Sequence, residues 1–412
     1  MNMVRRAEIP QFGLLSGVKV VHNTVSIAGP FAAELYAEYG ADVIWIENAK
    51  VPCMSRVATG NAWQQDRRNQ RNLSIDISLP EGKEIFLKLM EDTDVFISAA
   101  RGGQYEKMGL GDEVLWERNP RLVIVKISGF GQTGRPDYMN RPSYDPIAQA
   151  FGGYMAMNGF PGMPSMPTNP LTADYMSALF AFGTSVAAVM KSRETGRGES
   201  IDLAQYEVLM RTQSRYPMDF LEQGIPFVKE GGHSAYFAGY GTYSCQDEKE
   251  VYMLYLGAGV LKKGLPFMGI EFGTEKIPPG TNLLYLSSPE GQLLEERIKA
   301  FCQSHTAEEV ERAFLDHGVP CSRIMDYNDC LKDPQYVARE VFTEWKKVNG
   351  ESVKGVNIFP KFKNHPAKIW RGAPNIGMDN EDILTDLGFS EEQIKELYEK
   401  KVLAQRDYVN NI

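Results

Sequence analysis

Asp174 lies in the stretch Pro170-Leu171-Thr172-Ala173-Asp174-Tyr175-Met176-Ser177-Ala178, where a polar turn runs into mostly small or apolar residues as far as Met190. The pattern predicts the first turn of a buried helix with Thr172 as N-cap. In such a turn, exposed backbone N–H groups and the helix dipole favour an ionised carboxylate. An ionised carboxylate entering an apolar helix is a candidate nucleophile. Acidic residues in first turns are more often simple helix stabilisers, so position alone does not decide.

A second chemical pattern is Gly129-Phe130-Gly131-Gln132-Thr133-Gly134, a G-x-G-x-x-G run after a β-branched segment. A dinucleotide site needs a helix directly after those glycines, and Arg135-Pro136-Asp137 predicts none. A nicotinamide or flavin cofactor is therefore disfavoured. The run reads either as a turn closing the strand or as a backbone ledge beside an active site. Tyr144, shortly after it, reads by itself as packing at a helix start.

The five histidines show no H-x-x-x-H spacing and the five cysteines no C-x-x-C pair, so no metal site is expected. Scattered cysteines in a chain of 412 residues fit reduced thiols and a cytoplasmic protein. The N-terminal Met-Asn-Met-Val-Arg-Arg leads into Ala7-Glu8-Ile9-Pro10, not into an apolar signal core, and no charge-free apolar run reaches membrane-spanning length. A net charge of -9 without a Lys/Arg run argues against nucleic acid or an anionic membrane as partner.

These residues must be held by something, and the first two hundred positions supply it. Val18–Val21, Asp42–Glu47, Leu73–Ile77, Val95–Ser98 and Leu122–Ile127 read as strands, with helices between them at Phe31–Tyr39, Glu81–Glu91 behind Pro80, and Asp112–Arg118. Strand, helix, strand at this spacing predicts an α/β fold with a doubly wound parallel sheet, a Rossmann-like large domain. A long helix from Asp174 to about Arg193, a strand Ser200–Leu203 and one helix Ala204–Leu221 follow. Residues 223–290 turn rich in Gly, Pro and Tyr, with hairpin-like segments at Tyr243 and Val251–Leu256. Residues 1–224 are thus expected to form the large domain, 225–325 a smaller α+β domain, and 326–412 a C-terminal segment. Helix starts are marked at Ser288-Pro289, at Thr306-Ala307-Glu308-Glu309 and at Ser390-Glu391-Glu392-Gln393, with further helices at Asn328–Leu331 and Asn380–Leu387.

Taken together, Ile27-Ala28-Gly29-Pro30, Gly40-Ala41-Asp42-Val43, Arg71-Asn72-Leu73-Ser74-Ile75-Asp76, Gly129-Phe130-Gly131-Gln132, Tyr144-Asp145, Ala173-Asp174-Tyr175, Gly318-Val319-Pro320-Cys321 and Arg371-Gly372-Ala373-Pro374 resemble the family III CoA-transferases. Carnitine-type members share Arg193-Glu194-Thr195-Gly196-Arg197-Gly198-Glu199-Ser200, and bile-acid members share Gly102-Gly103-Gln104-Tyr105. The resemblance implies that Asp174 is the catalytic aspartate, forming an aspartyl anhydride and then an aspartyl-CoA thioester. It implies CoA contacts from Arg71, Asn72, Arg101, Lys107 and Tyr144, and a reduced glycine lid at Gly239-Tyr240-Gly241. It further implies an acyl-CoA thioester as substrate with no permanently bound cofactor, an interlocked homodimer, and a large domain completed by the C-terminal segment.

Crotonobetainyl-CoA or γ-butyrobetainyl-CoA as donor and L-carnitine as acceptor follow from the carnitine-type likeness; bile or other bulky acids follow from the other. Tyr236, Phe237, Tyr240 and Tyr243 would suit a quaternary ammonium, and Met155, Met157, Met163 and Met166 a bulky apolar acid. The related α-methylacyl-CoA racemases carry a His where Tyr144 stands, and a phenol is a poor base near neutral pH. A CoA-binding protein without turnover is the reading from outside enzymology, and the intact Asp174 motif speaks against it.

Overall fold

The computed structural model describes residues 8–58 and 60–407 and divides the chain into two compact units. One comprises Met1–Met155, Pro167–Pro217 and Glu340–Ile412, the other Ala156–Met166 and Met218–Arg339. The first unit is built on six strands: β1 (Lys19–Asn23), β2 (Asp42–Asn48), β3 (Arg71–Ile75), β4 (Val95–Ser98), β5 (Val123–Ser128) and β6 (Ser200–Ala204). They pair in the order β3-β2-β1-β4-β5-β6, every pairing parallel.

Alternate side chains of each strand point to opposite faces, and helices cover both. On one face Val20, Val43, Ile97 and Val125 meet Ala32, Ala33 and Tyr36 of the helix Ala28–Glu38 and Ala178 and Ala181 of the helix Thr172–Thr195. On the other, Val21, Ile46, Phe96 and Ile124 meet Ile85, Phe86 and Met90 of the helix Pro80–Met90. That second face also takes Ile383 and Leu384 from the C-terminal segment. Burial on both sides explains why these strands read as continuous apolar runs.

The second unit holds a three-stranded antiparallel sheet, β7 (Tyr240–Ser244), β8 (Glu250–Leu254) and β9 (Cys321–Arg323). Its core joins Val251 and Met253 to Leu294 and Ile298 of the helix Pro289–Gln303 and to Val310 and Phe314 of the helix Ala307–Asp316. Ser288 and Thr306 cap those helices from their side chains, and Thr306 closes a full capping box with Glu309.

Several expectations need correction. The segment 204–221 is two helices, Gln205–Arg211 and Tyr216–Gln223, because Ser214 takes φ 57° and Pro217 cannot continue a hydrogen-bonded helix from the preceding turn. The tail contains a hairpin, β10 (Phe342–Lys346) and β11 (Ser352–Val356), that the helix signals there did not reveal. A helical turn, Pro136–Met139, does follow the glycine run, four residues long and opened by its own proline.

Candidate active site

The helix Thr172–Thr195 turns small residues, Ala178, Ala181 and Ser185 among them, toward the helix Ala28–Glu38. Small side chains let the two helices pack closely, and Tyr36 Oη meets Ser185 Oγ at 2.7 Å while Tyr175 stacks edge-on against Phe31. This packing fixes the first turn that carries Asp174. The turn begins differently from the sequence expectation: Leu171 is the N-cap without a side-chain bond, and Thr172 Oγ1 donates to the Pro170 carbonyl at 2.9 Å. The cap arrives from another helix instead. Asp145, at the start of the helix Asp145–Phe151, accepts the Asp174 backbone N–H at 3.0 Å on Oδ2.

Asp145 is itself held. Its Oδ1 accepts from Gln149 Nε2 at 2.6 Å, and Gln149 Oε1 accepts the Thr168 N–H at 2.9 Å. The Asp174 side chain, 7 % exposed, accepts a 2.6 Å hydrogen bond on Oδ1 from Nε2 of Gln205, which is 6 % exposed. Oδ2 accepts none from the described residues, nor is it among the side-chain atoms sealed from solvent without a partner. Burial raises the Asp174 carboxyl to about 6, the Gln205 bond opposes the rise, and the Asp145 charge adds to it. Desolvation therefore outweighs the helix terminus that was expected to favour the ionised form, yet a carboxyl at about 6 stays mostly ionised at pH 7. A partly desolvated carboxylate with one oxygen anchored and the other open is suited to nucleophilic attack.

The order β3-β2-β1-β4 reverses direction between β1 and β4, where ligands bind in α/β sheets. A cleft of about 580 Å³ opens there at the carboxyl ends of β1 to β4. Its walls include Asn23, Trp45, Lys50, Ser78, Gln104 and Tyr105. Asp174 does not line it. The glycine turn spans the ground between: Gln132 Nε2 donates to the Ala100 carbonyl on the cleft wall at 3.1 Å, and a Cβ on Gly129 would lie 2.1 Å from Ser143 Cβ, next to Tyr144. Asp202 of β6 ties the turn down by accepting the Gln132 N–H at 2.8 Å. This glycine run is thus a tether between neighbouring segments.

The other expected site residues fall in three places. Arg101 and Lys107 are exposed on the turn whose Ala100, Gln104 and Met108 line the cleft. Tyr144, 56 % exposed, is the extended residue that precedes the helix Asp145–Phe151. Arg71 and Asn72 face inward. Arg71 begins β3, at the opposite end of the sheet from the cleft, and its guanidinium grips Asp42 at 2.9 Å and Asp382 at 3.2 Å. The Asn72 side chain accepts the Gly377 N–H at 2.6 Å and donates to Glu47 at 3.1 Å. Neither lines the cleft.

Gly239, Tyr240 and Gly241 belong to the second unit. Gly239 takes φ +66°, donates its N–H to Glu295 at 2.7 Å and packs so closely on Tyr255 that a Cβ would lie 2.7 Å from the ring. Tyr240 and Gly241 begin β7. The segment is a packed strand entry. Tyr243 is buried and donates to Glu295 at 2.7 Å, whereas Tyr236 is exposed, as are Met163 and Met166.

Sequence reasoning missed Gln205, Asp145 and Gln149 as partners of the site, and also the interior behind Trp45. There Arg56 pairs with Glu47 through two bonds of 2.9 and 2.8 Å, and Arg67 lies 4.2 Å from the Trp45 ring centroid. Arg67 is fully buried, and burial lowers its pKa while nearby Cys53 and Asp66 oppose the fall. Together with burial, its charge lowers the neighbouring His22 to about 3, so that imidazole stays neutral.

A parallel sheet with a cleft at its switch point and a buried carboxylate held by Gln205 is an arrangement of the α/β enzymes that act on small molecules. The chain belongs to CoA-transferase family III, whose profile it matches over residues 15–380. It is similar to a CAIB/BAIF family protein from Brucella suis, at 26 % identity and TM-score 0.76, covering 92 % of this chain and 100 % of that one. The fold is also that of Rv3272 from M. tuberculosis, at 19 % identity and TM-score 0.75, covering 92 % and 99 %. The protein is therefore a CoA-transferase, and a CoA thioester is its substrate.

Proposed function

We propose that this enzyme moves CoA from an acyl-CoA to a carboxylic acid through covalent intermediates on Asp174. The anchored, desolvated carboxylate of Asp174 carries this reading. Oδ2 attacks the thioester carbonyl carbon, a C–O bond forms, the C–S bond breaks, and CoA leaves as thiolate. The thiolate then attacks Asp174 Cγ, and the first acid departs as carboxylate, leaving an aspartyl-CoA thioester. The acceptor carboxylate reverses the sequence. Each step exchanges one activated acyl bond for another, so no ATP is consumed. Arg101 and Lys107 meet CoA phosphates at the rim of the switch-point cleft, with Tyr144 close to the acyl end. The large domain, with its C-terminal segment, is then the CoA-binding part.

The acyl groups are of the carnitine type, crotonobetainyl or γ-butyrobetainyl as donor and L-carnitine as acceptor. Sequence segments such as Arg193-Glu194-Thr195-Gly196-Arg197-Gly198 support this, and exposed Tyr236 offers an aromatic face to a quaternary ammonium. Exposed Met163 and Met166 keep a bulky acid such as a bile acid as the second reading. The enzyme works as a cytoplasmic homodimer: Cys53, Cys245, Cys302 and Cys330 are buried free thiols, and Leu179, Phe180 and Met190 leave an apolar helix face for a second copy to cover. Elution as a stable monomer would refute the dimer.

The deciding experiment incubates the protein with each acyl-CoA and follows Asp174 by mass spectrometry, with exchange rates measured across carnitine-type and bile acids. A CoA-sized adduct on Asp174 and exchange among γ-butyrobetainyl-, crotonobetainyl- and carnitinyl-CoA are expected. An active enzyme whose Asp174 stays unmodified would exclude the mechanism, and inactivity with all three thioesters would exclude the substrate class.

A further inference from the structure

Gln205 is the first residue of the helix Gln205–Arg211, placed directly after β6 by the pairing of Ala204 with Ser128 of β5. Its side chain is buried, and its sole hydrogen bond among the described residues is the 2.6 Å bond from Nε2 to Asp174 Oδ1. A glutamine kept for the fold alone would be bonded to scaffold groups. This one serves a single carboxylate oxygen.

We infer that the Gln205 amide is the oxyanion donor for chemistry at the aspartyl carbon. The inference rests on Asp174 being the nucleophile. In the anhydride, Oδ2 bridges to the acyl carbon and Oδ1 is the carbonyl oxygen of Cγ. When CoA thiolate adds to Cγ, the S–Cγ bond forms and the carbonyl electron pair moves onto Oδ1, where Nε2 already sits. Collapse restores the Cγ–Oδ1 double bond, breaks Cγ–Oδ2 and expels the acid as carboxylate. The acceptor's attack on the aspartyl thioester passes through the same charge on Oδ1. At the acyl carbon, by contrast, charge gathers on the substrate's carbonyl oxygen, which the Oδ1-bound amide does not serve. Gln205 thus divides the reaction, anchoring the ionised carboxylate for the first attack and stabilising developing charge only in the steps at Cγ. An amide suits the task because it donates a hydrogen bond without titrating.

The test is a rapid-quench experiment with acyl-CoA and no acceptor acid, reading free thiol for the first step and intact mass for the second. Wild type is expected to gain CoA on Asp174. Gln205→Met, which keeps length and removes the donor, should slow thiol release by the smaller amount that the lost anchor of the Asp174 carboxylate accounts for, while thioester formation falls a further factor of about 10²–10³, so that the second step becomes limiting. Gln205→Glu should recover thioester formation as pH falls and its carboxyl regains a proton to donate. Thermal melting of each variant confirms that it is folded. If folded Gln205→Met forms the thioester at the wild-type rate, or loses both steps equally, the oxyanion role is overturned while the nucleophile stands. If wild-type Asp174 takes up neither group, the nucleophile fails and this inference falls with it.

Discussion

Because burial pushes the Asp174 carboxyl up to about 6, against the ordinary aspartate value of 3.8, the folded protein binds this proton more tightly than the unfolded chain does. A raised carboxyl contributes stability below the unfolded value and loses it as pH rises through the folded one. At pH 7.5 the ionised group therefore destabilises the fold by about 2–3 kcal/mol. Asp174→Asn should be inactive in exchange yet melt at a higher temperature than wild type at pH 7.5, with the gap narrowing toward pH 4. A lower melting temperature at pH 7.5 would contradict that sign. In wild type, kcat/KM should fall as pH drops below about 6, since the proposed nucleophile must be ionised. Asp174 could be singled out in the sequence because the residues around it form a local motif. Gln205 and Asp145 could not, since they reach it from separate helices, 31 and 29 positions away, and no one-dimensional pattern encodes that meeting.

Helices whose caps are local were readable from three-residue spacing: Ser288, Thr306 and Ser390 each accept the backbone N–H three positions on. The helix that carries Asp174 was misread at its start because its cap comes from Asp145, on a different helix. That difference has a measurable consequence. Asp145→Ala removes a buried, charged acceptor and leaves the Asp174 N–H and the Gln149 amide without it. A loss of about 1–3 kcal/mol in denaturant unfolding is expected, with a fall in kcat because the first turn is no longer held. Asp145→Asn, which keeps one acceptor oxygen, should recover part of both. An alanine variant as stable and active as wild type would show that the turn holds itself.

At the scale of the whole first unit, the sheet was legible because its strands are buried on both faces and so read as apolar runs. The return of the chain's end to this unit was implied by the family resemblance and by no pattern in the segment itself, because it meets β3 from some three hundred positions away. Asp379 accepts the Asn72 N–H at 2.8 Å, Asn380 accepts the Ser74 N–H at 2.8 Å, and Leu403 bridges Ile75, so the outer edge of β3 is covered and not left to pair with other chains. Arg71 locks this closure by joining Asp42 of β2 to Asp382 of the helix Asn380–Asp386, and burial has raised the Asp382 carboxyl to about 6 even with the guanidinium opposing it. Taking the arginine away strands two acids beside one another. Arg71→Leu should therefore lose about 3–5 kcal/mol of unfolding free energy, seen as a lower urea midpoint, while KM for acyl-CoA at a temperature well below melting stays near wild type. Arg101→Ala with Lys107→Ala should do the opposite, raising KM for acyl-CoA with the urea midpoint unchanged, and the rise should shrink at high salt. If Arg71→Leu instead raises KM and leaves stability intact, the guanidinium serves the nucleotide after all, and the closure of β3 by the C-terminal segment must rest on the backbone bonds of Asn72 and Ser74 alone.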